Sequence, residues 1–143
     1  MTIEEILDFH NVELAYFDNE LWPRPGIYID EIKVVFVNRA LSDESKKKVI
    51  FHELGHIEHD SGQYQRRHEE FELQANRHMI KCLLEEEFCY IEDKLEFNYL
   101  SFMQRHNLKT TTDEVMVIDE YYNLLDAVLS YLIKFKQHLM NGI

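Results

Sequence analysis

At Ser42 the hydrophobic pattern of this chain changes period, and the change separates what can form sheet from what must form helix. Before it, "VELAYF", "IYI" and "KVVFVN" are short runs of β-branched and aromatic residues, which suit a pleated, half-buried surface. Between them stand "WPRPG", Trp22 to Gly26, a loop stiffened by its prolines, and "DE", which suits a hairpin or tight meander. A short helix over "TIEEILDFH" opens the chain, with Thr2 as N-cap and acids in its first turn.

After Ser42, itself an N-cap candidate, apolar residues recur at helical spacing. "LSDESKKKVIFHELGHIEHD" carries Val49, Ile50, Leu54 and Ile57; after the break "SGQYQ", "RRHEEFELQANRHMIKCLLEEEF" carries Phe71, Ala75, Met79, Cys82 and Leu83. "EFNYLSFMQRHN" reads as a further helix. The last, "DEVMVIDEYYNLLDAVLSYLIKFKQHLM", aligns Leu124, Val128, Tyr131, Leu132 and Phe135, and these read as core, with a dimer or partner face as the alternative. The expected fold class is α+β, a small N-terminal β-sheet packed against a helical core with additional C-terminal helices. One domain over 1–143 is expected, with opening helix and sheet at 1–40, two long helices at 42–90 and C-terminal helices at 92–143.

Composition narrows the class. At 143 residues, 45% of them apolar and with four Gly and two Pro, the chain has enough apolar surface for one core and little of the character of a disordered segment. No apolar run approaches the roughly 18 residues that cross a bilayer. "MTIEEILDFH" lacks the basic residues of a signal or transit peptide, so a cytoplasmic location is expected. Cys82 and Cys89, about 10.5 Å apart along a helix axis, are too distant for a disulfide and fit a reducing compartment. The net charge of −12 opposes direct binding of nucleic acid, since the longest basic run is "KKK", Lys46 to Lys48. It leaves protein partners open, and oligomeric state is not readable.

The chemistry concentrates in "VIFHELGHIEHD", Val49 to Asp60, which holds three of the chain's eight histidines. Residues four apart share a helix face, so His52 and His56 project side by side and can reach one zinc ion. Glu53, at the edge of that face, can serve as general base toward a metal-activated water without being a ligand. The pattern H-E-x-x-H thus joins a spacing to a mechanism. Gly55 weakens a helix, and close approach of the sheet or of the following helix would explain it.

Two histidines leave a metal site incomplete. A second helix returning after "DSGQYQ" supplies Glu69, Glu70 and Glu72 as candidate third ligands, with His59 and His68 as rivals. On an unbroken helix His59 lies almost two turns beyond His52, which argues for a contact behind the ligands or in the transition state. Tyr64, His59, His68 and Tyr28 are candidates to stabilise an oxyanion. Asn76, and after it Asp60, are candidates to orient a ligand imidazole through its other nitrogen. "KVVFVN" invites comparison with the edge strand on which some peptidases pair an extended substrate, although the sequence does not say which strand is at an edge.

"HELGH" followed by "ELQANR", Glu72 to Arg77, resembles the ImmA/IrrE family of zinc metallopeptidases, most closely its small phage and mobile-element members. The resemblance implies a zincin-like core, Zn2+ held by His52, His56 and Glu72, and Glu53 as the catalytic base. In the E-x-x-A-N motif Ala75 and Asn76 follow the glutamate. His78 stands where the family usually has phenylalanine, Met79 where it has a small residue, and no proline follows "KCLLEEE"; these departures bear on packing and not on ligands. The implied activity is zinc-dependent endopeptidase cleavage of a protein, in particular a helix-turn-helix repressor. The rival is a non-enzymatic, zinc-stabilised regulator that sequesters its partner, and a zinc hydrolase for a small amide is a third reading.

Overall fold

The computed structural model describes residues 2–142. Helix α1 (Ile3–Phe9) is closed by a capping box: the Thr2 hydroxyl accepts from Glu5 N–H, and the Glu5 carboxylate accepts from Thr2 N–H. Strands β1 (Glu13–Phe17), β2 (Gly26–Ile29) and β3 (Val34–Asn38) follow in sequence but lie in the order β1-β3-β2. The β2–β3 pair is an antiparallel hairpin, whereas β1 and β3 are parallel. The "KVVFVN" run is therefore the central strand and not an edge. It is β-branched and buried, with Val35 and Val37 fully enclosed, and β1 and β2 form the edges.

Asn38 ends β3 and is buried. Its Nδ2 donates to Asn19 Oδ1 and to the Arg24 carbonyl, and its Oδ1 accepts from Ala40 N–H. One amide thus fixes the "WPRPG" loop and places β2 at the sheet edge beside the next helix.

Helix α2 (Asp43–Leu54) begins with Ser42 accepting from Ser45 N–H, and it packs on β2 and β3 through a face that includes Ile50, Phe51 and Leu54. The sequence suggested a helix running on to Asp60; the α-helix instead stops at Leu54. Past Gly55 the bonding tightens to three-residue steps, His56 N–H to Glu53 O and Ile57 N–H to Leu54 O. A β-carbon on Gly55 would stand 2.8 Å from Ala75 Cα and 3.1 Å from His78 Cβ. The glycine is there because the next helix crosses directly behind it.

That helix, α3 (His68–Phe88), follows a single 3-10 turn at Ser61–Gln63. By contact density the chain divides into two compact units, one ending at Met79 and the other beginning at Ile80, and α3 contributes to both. The second unit contains helices α4 (Tyr99–Arg105) and α5 (Thr111–Asn141). Its core includes Ile80, Leu83, Leu84, Phe102 and Val117, and buried His106 meets Glu87, which also accepts from Arg105 Nε and Nη2. The fold is α+β, with a three-stranded mixed sheet and five α-helices among the described residues. Neither Cys82 nor Cys89 is in a disulfide.

The C-terminal helix departs from expectation. Leu124 and Val128 are only half-buried, and Tyr131, Leu132 and Phe135 are more than half exposed. Helical periodicity identifies a face, but burial also requires something to lie against it, and α5 continues past its last buried residue, Leu125. Among the described residues no helix is long and apolar enough to cross a membrane.

Candidate metal centre

All the residues singled out at this site lie in the first unit. His52 comes from the last turn of α2, His56 from the tight turn after it, and Glu72 from the second turn of α3. The His52 and His56 Nε2 atoms are 3.3 Å apart; Glu72 Oε2 is 3.0 Å from His52 Nε2, and Oε1 is 3.3 Å from His56 Nε2. Donors held about 2.0–2.1 Å from a tetrahedral ion stand roughly 3.3–3.4 Å from one another. These separations are of the size found between donors around such an ion, with one Glu72 oxygen facing each imidazole.

The partners behind the ring nitrogens decide what this face presents. Asn76 Oδ1 lies 2.8 Å from His52 Nδ1; a carbonyl oxygen only accepts, so Nδ1 carries a hydrogen and Nε2 is the nitrogen left to serve as a ligand. His56 is set by a longer chain. Gln74 Nε2 donates to Glu70 Oε1, which turns its own oxygen to His59 Nε2 at 2.7 Å. His59 Nε2 is then the protonated nitrogen, and its Nδ1 accepts from His56 Nδ1 at 2.9 Å. Burial, then the neighbouring His52, pull the His56 pKa down to about 4, so its ring is neutral near pH 7. Two ring nitrogens and a carboxylate thus converge, an arrangement that a bound cation would satisfy. Two nitrogens and one oxygen suit zinc.

Glu53 is the other acidic group within reach, and one donor atom each from His52, Glu53 and His56 lies within 4.8 Å of the others. Glu72 is the better third donor, because it meets both imidazoles at 3.0–3.3 Å. Glu53 is anchored elsewhere: its Oε2 accepts from Tyr28 N–H at 3.0 Å, on edge strand β2. Burial pushes its carboxyl up to about 7, with the Tyr28 bond opposing and the Glu72 charge adding. A carboxyl in that range can take and return a proton near neutrality.

The remaining candidates separate clearly. Tyr64 donates to Glu72 Oε1 at 2.5 Å, and burial followed by that carboxylate raises the phenol to about 12. Burial acts to raise the Glu72 carboxyl as well, but the Tyr64 hydroxyl and the adjacent imidazoles outweigh it and hold the pKa below the ordinary value. His68 meets the far side of Tyr64, ring to ring at 5.0 Å. Glu70 is engaged by Arg67 and Gln74, and Glu69 is exposed. Asp60 orients no imidazole; it accepts from Gly62 N–H and shapes its own turn. His59 stacks on Phe71 at 4.1 Å behind His56. The chain Glu70–Gln74–His59–His56 escaped sequence reading because an unbroken helix was assumed; the three-residue step from His56 to His59 was its one signal.

A cavity of about 730 Å3 opens over these groups, lined by Trp22, Ile27, Tyr28, Glu53 and Tyr64 among others. It has the size of a ligand site, and β2 forms one wall.

Comparison with known proteins gives the class, a metallopeptidase. Residues 6–116 match the family model of a peptidase family described as the IrrE N-terminal-like domain. The chain belongs to that family, which implies a metal and a protein substrate. No curated protein and no solved structure matched the chain.

Proposed function

We propose that the chain is a zinc-dependent endopeptidase that hydrolyses a peptide bond in a protein substrate. The observation that carries this reading is the convergence of His52 Nε2, His56 Nε2 and the Glu72 carboxylate, with each imidazole held by a partner at its other nitrogen. These three residues would hold the metal. When bound, zinc supplies a Lewis acid that activates water and polarises a carbonyl.

The chain's own residues perform the rest. Glu53, with a pKa near 7, takes a proton from the attacking water and passes it to the leaving amine. The Tyr28 N–H holds one carboxylate oxygen and leaves the other free for that exchange. Asn76 and His59 keep both imidazoles in the required tautomer. Tyr64, at the cavity wall, is placed to donate to a developing oxyanion by turning its one hydroxyl hydrogen away from Glu72. Edge strand β2, whose Tyr28 N–H is taken by Glu53, offers its remaining outward backbone groups to an extended polypeptide.

The resemblance of the two motifs to ImmA/IrrE enzymes extends the proposal to the substrate, a helix-turn-helix repressor encoded nearby, cleaved in the cytoplasm. The test is incubation of the zinc-loaded protein with the repressor from the adjacent reading frame, with and without chelator, followed by mass spectrometry. Chelator-sensitive fragments are expected. Intact repressor in a stable complex with wild-type protein would replace the enzyme by a sequestering regulator.

A further inference from the structure

The outer half of α5 carries an exposed apolar seam. From Tyr121 onward the residues Tyr121, Leu125, Val128, Leu132, Phe135 and Leu139 alternate steps of four and three, the spacing that keeps a seam facing a second helix. The inner end is used within its own unit: the Tyr121 ring stacks on Phe97 at 4.9 Å, and Leu125 is buried. The outer end is open, with Leu132 at 52%, Phe135 at 51% and Leu139 at 53% exposure. Leu129 and Tyr131 widen the open face, while Asn123, Ser130 and Gln137, seven residues apart, form a polar line on the opposite side. This stretch lies beyond Met116, where the family match ends.

We propose that this seam is a homodimer interface, in which the outer half of α5 packs antiparallel against the same segment of a second copy. The seam is self-complementary. Leucine alternates with tyrosine, valine or phenylalanine, so an antiparallel copy sets Leu132 against the partner's Phe135 and Leu139 against the partner's Val128. The exposed side chains from Leu129 to Met140 would cover on the order of 600 Å2 per copy and roughly 1,200 Å2 in all, the lower bound for a specific interface. Charge fits the same occupant. The chain carries −12, yet residues 127–142 contain no acid, and Lys134 and Lys136 lie beside the seam and not on it. Copies of an otherwise self-repelling protein can therefore meet at this segment. The inference does not depend on the peptidase reading.

Sedimentation velocity on the full chain under reducing conditions tests it. The wild type is expected to be dimeric at about 100 μM, the double variant Leu132→Glu, Phe135→Glu monomeric there with unchanged helicity by circular dichroism, and Ser130→Glu on the polar line still dimeric. Leu139→Gln, further from the packed end, should weaken dimerisation about tenfold and provides the reading if the double variant loses helix. A wild type that stays monomeric, or a dimer that neither seam variant weakens, overturns the proposal.

Discussion

The metal centre and the outer half of α5 are opposites in what they bury. At the centre, polar groups sit in partly buried surroundings, and those facing the site, from Asn76 to Tyr28, have partners. On the outer half of α5, large apolar groups are exposed. Buried polar atoms are costly unless satisfied, so the first arrangement persists only where geometry is enforced by neighbours on two helices and a strand. An exposed apolar face costs the folded monomer little and becomes favourable only when covered. The contrast predicts that substitutions at the centre act through function and metal, while those on the outer α5 act through association.

The largest effect should follow Glu53→Gln. The amide oxygen can still accept from Tyr28 N–H, so the fold and metal content should be unchanged while cleavage falls about 10³-fold. Single-turnover cleavage with parallel elemental analysis reads both; undiminished cleavage would mean that Glu53 is merely a structural acceptor. Next, Glu72→Ala should weaken zinc binding by about 100-fold or more, whereas Glu70→Ala, two residues earlier, should cost far less. Competition with a chromogenic chelator separates the two, and equal losses would move the third donor away from Glu72.

A smaller loss, about 10–100-fold in metal affinity, is expected for Asn76→Ala and for His59→Phe, since each frees one imidazole to rotate or change tautomer. If His59→Phe binds zinc like the wild type, the Glu70–Gln74–His59 chain does not set His56. Gly55→Ala should lower stability by about 1–3 kcal/mol, because its methyl meets backbone at Ala75 and not a flexible side-chain end. Urea denaturation measures it. The smallest effect belongs to α5: Leu132→Ala in dilute protein should change stability by no more than about 0.5 kcal/mol, against about 2–5 kcal/mol for Leu125→Ala one heptad earlier. A large loss at Leu132 in the monomer would erase the contrast between the two regions.

How far each region was legible follows from the same physics. The capped starts of α1 and α2 and the β2–β3 hairpin were readable, because caps and turns are local chemistry. His52, Glu53 and His56 were readable as a group, since their meeting needs only a turn of helix. Glu72 required a second motif, as its approach depends on how α3 returns. The end of α2 at Leu54 was missed because the apolar spacing runs on past it to Ile57.

What the sequence by itself determined is the inventory and its spacing: which segments are strand or helix, and which side chains could form a metal-binding set. Only the tertiary structure decided which of several acids meets both imidazoles, which strand became the edge, and which apolar faces remained open. Local pattern is written in steps of a few residues, whereas convergence and burial depend on contacts between segments that are distant along the chain.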